Sequence, residues 1–375
     1  MPDPPAQAAP TAERSASTPA LPDRVERERA RPRRPRRPRR SGRPLSRGRK
    51  ALFSAVTLAS ALTLAEGLCR AIGLGRHEAI DGAISQWHHT PDGRVFWVTR
   101  GPGFNSDGLR DAEHERAKPP GRFRIICLGD SVTMGHTLPR EAAYPHALQS
   151  YLVQLGVDAE VFNVATSGWA TLQELTAYET IVRPYRPDHV FLGFCLNDVA
   201  EMHNNLRTPP PAAVAALTRH SALFRWLVGA ERRQISHVRQ LFTDPDGPAV
   251  ENGWNRALEA LDRLHEQTRA DGCALSVVIF PFRFQLEPDA PPPAPQRRLF
   301  DHCMRTGIPC LDVLPVLAPL GRSAFIDDSH LSAAGAAAVA KALVAWGRNG
   351  CSMCGLDLRD VTAAACPRCG TPRGK

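Results

Sequence analysis

The sequence predicts an α/β domain with a largely parallel sheet. Three observations predict it: short apolar runs of strand length, longer helical patterns between them, and turn residues where the runs end. The strand-like runs fall at 122–128, 159–164, 189–195, 274–280 and 309–313, and the helical patterns near 141–155, 171–183, 251–270 and 332–347. The Pro-rich stretches 208–212 and 290–295 read as loops. The stretch 199–250 is long for a connection and reads as a lid or a helical insertion. Its Leu223, Phe224, Trp226 and Leu227 suit a lid or a core equally.

The 375 residues allow one main domain with accessories. Residues 1–50 are rich in Pro, Ala and Arg, and carry 15 Arg/Lys against 5 Asp/Glu. Against a total of +9, the rest of the chain therefore sums to −1, and the basicity belongs to the tail. Such a segment repels itself and has almost nothing to bury, so it reads as disordered. Nucleic-acid or acidic-lipid binding is one use for it. A solvated, positive flank to the segment that follows is the preferred reading, because Ala51 to Ala65 carries no charge before Glu66 ends the run.

Segment 51–72 is therefore expected to be a single membrane anchor. An amphipathic or buried helix, or a signal-peptide core with Ala59-Ser60-Ala61 as a cleavage site, is the alternative. The Arg flank predicts a cytoplasmic N-terminus and a main domain outside the cytoplasm. Residues 73–118 form a lead-in whose Trp87, Phe96, Trp97 and Phe104 are expected to pack on the main domain at 119–348.

Chemistry concentrates at strand ends. Gly129-Asp130-Ser131 closes the first apolar run, and Asp327-Asp328-Ser329-His330 precedes the last helical pattern. A serine hydroxyl is a poor nucleophile until a base takes its proton. An imidazole serves as that base when a carboxylate holds its other nitrogen. Gly168 and Asn197, each after a strand-like run, suit an oxyanion. Either short motif alone is weak, since G-D-S is common in turns and an aspartate such as Asp327 also caps helices. Order, spacing and strand context together carry the reading.

In that order the chain resembles the SGNH/GDSL hydrolase family, whose four blocks follow successive strands. The matching blocks run Leu128 to Gly135, Asn163 to Trp169, Phe191 to Asp198, and Asp327 to Gly335, so the resemblance covers roughly 120–348. It implies a three-layer, flavodoxin-like sheet flanked by helices. It also implies a Ser131–His330–Asp327 triad, with the Ser131 and Gly168 N–H groups and the Asn197 amide receiving the oxyanion. The third block departs from the commonest Gly-x-Asn-Asp form, since Leu196 precedes Asn197 and Gly193 stands four residues before it. Asp328, adjacent to Asp327, is a second candidate for the orienting carboxylate.

At the C-terminus, Cys351, Cys354, Cys366 and Cys369 form two C-x-x-C pairs, each followed by glycine. Four thiolates at this spacing close a tetrahedral zinc site, and 349–375 resembles a zinc ribbon. Two disulfides are the alternative. No coordination position is left open, so the zinc is expected to be structural and the catalysis free of cofactors. Arg359, Arg368, Arg373 and Lys375 are too few for a nucleic-acid claim. Clustered thiolates fit a reducing compartment better than the outside location that the Arg flank predicts, and the two inferences pull against each other. The other six cysteines show no disulfide framework.

The resemblance implies a serine esterase acting on an acyl or acetyl ester of a lipid, glycan or small metabolite, and the apolar run 51–72 is expected to anchor it in a membrane. Two other functions fit: an O-acyltransferase that moves an acetyl group onto a surface polysaccharide, and a tethering protein with a vestigial site.

Overall fold

The computed structural model describes residues 46–74, 83–136, 138–200, 204 and 206–348. Residues 1–45 of the basic tail and the cysteine pairs at 351–369 lie outside the described residues. Helix α1 (Arg47–Ile72) begins within the basic segment and is the one described helix long and apolar enough to cross a membrane.

A hairpin follows, made of β1 (Ile84–His89) and β2 (Val95–Arg100). Its turn is Pro91-Asp92-Gly93, with Gly93 at φ +80°. This is a turn in which glycine meets no steric penalty. The alternation in 84–100 is weak because β2 buries successive residues, Val95 to Val98, and not every second one. The sequence pattern therefore marks a lead-in and no strands over this stretch. Phe96, Trp97, Val98 and Leu109 enter the same core as the main sheet, and Trp87 packs against it half-buried.

That sheet consists of β3 (Phe123–Gly129), β4 (Ala159–Ala165), β5 (His189–Cys195), β6 (Ala274–Phe280) and β7 (Cys310–Asp312). Every pairing is parallel, in the order β4-β3-β5-β6-β7. All seven residues of β5 are buried, as expected of a strand covered on both faces. The chain steps from β3 to β4 in one direction and from β4 to β5 in the other. Right-handed crossovers then put the intervening helices α3 (Tyr144–Gln154) and α4 (Thr171–Ala177) on opposite faces. The point of reversal lies between β3 and β5, where open sheets of this order form their ligand crevice.

Helix α9 (Pro248–Ala270) packs with α4, and the final helix α12 (Ala333–Arg348), which follows the one-turn α11 (Leu314–Leu317), packs with α3. The helical pattern expected over 171–183 is α-helix to Ala177, widens into a π-helical turn at Tyr178–Val182, and ends in a 3-10 turn at Arg183–Tyr185, where Pro184 has no N–H to continue the ladder. The loop expected at 290–295 runs into α10 (Ala294–Thr306), because Pro295 sits in the first turn, where its missing N–H costs nothing. The long insertion is helical: α6 (Ala212–His220), α7 (Ala222–Val228) and α8 (Ala230–Thr243). It leaves from the one-turn helix α5 (Asn197–Ala200), and α8 packs back on α5. Of the scattered cysteines, Cys69, Cys127, Cys195, Cys273 and Cys303 are buried as free thiols.

Candidate active site

Ser131 opens a one-turn helix, α2 (Ser131–Met134), directly after β3. Asp130 caps it, its Oδ1 accepting from the Val132 N–H at 2.8 Å. The turn is sharp because two glycines make room for it. Gly129 and Gly193 are register partners in adjacent strands. A Cβ on either would meet Thr133 Oγ1, at 2.2 and 2.4 Å respectively. Gly193, the departure in the third block, thus joins Gly129 in letting α2 rest on the sheet.

His330 lies 199 residues along the chain, and its Nε2 is 2.9 Å from Ser131 Oγ. Its Nδ1 is 2.6 Å from Asp327 Oδ2. Asp327 Oδ1 accepts from the Ser329 and His330 N–H groups at 2.9 and 2.8 Å. Burial works against charge on this carboxyl. The hydrogen bond and charge of His330, with the two backbone N–H groups, nevertheless hold it at about 2. Asp328 turns away, its Oδ1 accepting from Arg283 at 2.6 Å. Of the two neighbouring carboxylates, Asp327 is the one that bonds to His330 and Asp328 the one that bonds to Arg283.

Gly168 and Asn197 follow β4 and β5, the two strands that flank β3. Gly168 has φ +80°, in the left-handed region that favours glycine. Asn197 is 3% exposed, and its Nδ2 donates to Asp130 Oδ2 at 3.3 Å. An amide nitrogen carries two N–H groups, so this bond fixes the flip of the side chain and uses one of them. Burial pushes the Asp130 carboxyl up. Beneath it, Glu174 on α4 is wholly buried and raised well above the usual carboxylate range, first by burial and then by Asp130.

The family model for the GDSL-like lipase/acylhydrolase family matches residues 127–338, more than half of the chain, from within β3 to within α12. This chain belongs to the GDSL-like lipase/acylhydrolase family. An arylesterase of Vibrio mimicus is 29% identical over 93 residues, which are 25% of this chain and 44% of that protein. The chain thus matches less than half the length of this curated relative. Among solved structures, TesA has 15% identity and a TM-score of 0.38, over 59% of this chain and 96% of its own. The acetylxylan esterase Axe2 from Geobacillus stearothermophilus has 15% identity and a TM-score of 0.41, over 60% and 93%.

Two features of this GDSL-like site have no counterpart in the sequence reading. His136 Nδ1 lies 3.1 Å from Ser167 Oγ, and its ring centroid is 5.4 Å from that of His330. Its place five residues after Ser131 was the only sequence signal for it. The loop carrying Gly168 is also held from the hairpin. Trp97 Nε1 donates to the Ser167 carbonyl at 3.2 Å, and Trp169 Nε1 donates to the Trp97 carbonyl at 2.8 Å.

Proposed function

We propose that this GDSL-like protein is a serine esterase acting on an acyl or acetyl ester through an acyl-enzyme. The observation that carries the reading is the continuous path from Ser131 Oγ to His330 Nε2 at 2.9 Å and from His330 Nδ1 to Asp327 Oδ2 at 2.6 Å. With Asp327 ionised, Nδ1 keeps its proton, and Nε2 is the tautomer that accepts. Ser131 Oγ attacks the ester carbonyl carbon while its proton passes to His330 Nε2. The oxyanion of the tetrahedral intermediate is received by the Ser131 and Gly168 N–H groups and by the remaining N–H of Asn197. Collapse breaks the bond to the alcohol oxygen, which leaves with the proton from His330. Water, deprotonated by the same imidazole, then releases the acid and restores Ser131. An ester of a lipid, glycan or small metabolite supplies the acyl group. The family description and the arylesterase relative support ester chemistry.

Purified full-length protein is expected to react with a fluorophosphonate probe, and Ser131→Ala and His330→Ala are expected to abolish the labelling. A folded wild-type protein that stays unlabelled would overturn the mechanism.

Two accessory roles belong to the same reading. Helix α1 anchors the chain with its N-terminus in the cytoplasm and the domain outside, which protease protection of oriented vesicles tests. Cys351, Cys354, Cys366 and Cys369 hold one structural zinc by the chemistry of four thiolates. Elemental analysis is expected to find one zinc per chain, lost on replacing Cys351 and Cys354 by serine.

A further inference from the structure

Helix α6 has nine residues, and none of them is buried. A helix this short is marginal in water without a surface to pack on. Val214 and Leu217 on it are 41% and 48% exposed. Helix α7 buries only Ala222, and its Leu227 is 64% exposed. The pair therefore presents apolar side chains to its surroundings over two successive helices.

Their junction is fastened to α1. Glu66 accepts from Ser221 Oγ at 2.8 Å and from the Ala222 and Leu223 N–H groups at 2.9 Å. Arg70 donates to Glu66 and to the His220 carbonyl, both at 2.6 Å. Arg225 closes the end of α6 by donating to the Thr218 and Arg219 carbonyls. Around the clasp, Leu62, Leu64, Leu68 and Ile72 of α1 are 51–74% exposed.

This arrangement accounts for a charge inside an apolar helix. The uncharged run Ala51 to Ala65 is about 22 Å long, short of the roughly 30 Å of bilayer hydrocarbon. Continued to Ile72, the end of α1, it reaches about 33 Å. That continuation places Arg70 at the edge of the hydrocarbon and Glu66 about 6 Å inside it, where unpaired charges are costly. Here they pair with each other, and both are bonded to the α6–α7 junction.

We propose that α6 and α7 lie in the membrane interface beside α1. Val214, Leu217 and Leu227 enter the acyl region, and Arg219 and Arg225 sit at the level of the lipid phosphates. The occupant of this apolar face is the bilayer, because Glu66 and Arg70 fasten the α6–α7 junction to a helix of membrane-spanning length and basic residues flank the junction. The proposal rests on α1 entering a bilayer. It is independent of the serine chemistry.

The test uses the full chain in phosphatidylcholine vesicles, with Leu217→Trp, Leu227→Trp and, as a water-facing control on α3, Val153→Trp, which replaces a side chain 64% exposed. Bromine-labelled lipids are expected to quench added emission at 217 and 227 and to spare it at 153. Adding Glu66→Ala to Leu227→Trp is expected to reduce that quenching. Emission at 217 and 227 that resists the brominated lipids overturns the proposal. Emission that is blue-shifted yet unquenched also overturns it and assigns the face to a second copy. A chain that does not float with the vesicles overturns the anchor reading as well. Fluorophosphonate labelling of each variant, measured alongside, reports the fold and the serine reading separately.

Discussion

Asp327 and Asp328 are neighbours in sequence, yet one bonds to the imidazole and the other to Arg283. If Asp327 sets the tautomer of His330, Asp327→Asn is expected to lower kcat by about 10³–10⁴-fold. Asp328→Asn is expected to leave kcat within about threefold, since it loses only a half-exposed ion pair. Single-turnover acylation by an aryl ester checks both. The pH dependence follows from the same bonds. With Asp327 held at about 2, its contribution to stability is complete above the unfolded carboxylate value near 4 and is lost as pH falls toward 2. Urea melts of the wild type and of Asp327→Asn between pH 2 and 7 check this: the stability difference between them is expected to shrink as pH falls toward 2, and a difference that does not change with pH would count against the assigned pair.

Among the elements, the β1–β2 hairpin has the largest role that the sequence concealed. Trp97 bonds to the Ser167 carbonyl and so steadies the turn that presents Gly168. Trp97→Phe keeps the ring in the core and removes that donor. Loss of one such bond, at roughly 1 kcal/mol, predicts a five- to tenfold fall in kcat with KM little changed. Steady-state kinetics on a soluble ester reads this directly, and a change confined to KM would reassign Trp97 to substrate binding. The five sheet strands were legible because each is a short apolar run between turn residues, and β5 and β6 occupy the ranges expected of them. The hairpin and α10 were hidden for opposite reasons. Burial of consecutive residues erased the alternation of β2, and proline, read as a breaker, stands at the start of α10, where helices tolerate it. Ser131, Gly168 and Asn197 were legible as residue types after strand-like runs, and Asp327 and His330 as a short motif ahead of the last helix. His136 and the pairing of Gly129 with Gly193 required the third dimension.

At the scale of the whole molecule, part of the acid stability depends on a histidine far from any proposed chemistry. His189 begins β5, is wholly buried, and has no hydrogen-bond partner for either ring nitrogen. Burial lowers it to about 3. The unfolded chain therefore binds a proton that the folded chain refuses. Stability is full above the ordinary histidine value near 6.5 and falls as pH drops from there toward 3. His189→Leu is expected to flatten that part of the stability curve and to add about 1–2 kcal/mol at neutral pH, by removing two unmet polar atoms. Urea melts between pH 4 and 8 check this, and parallel curves for the two proteins would refute it.

The separation of 199 residues between Ser131 and His330 also has a consequence in time. During synthesis at roughly 5–20 residues per second, the serine is made some 10–40 seconds before its base exists. Throughout that interval the nascent polypeptide carries an inert hydroxyl. Under the mechanism proposed above, a ribosome that stalls before codon 330 releases a product with no activated nucleophile. Ester hydrolysis thus reports completion of the chain through that codon as well as its folding.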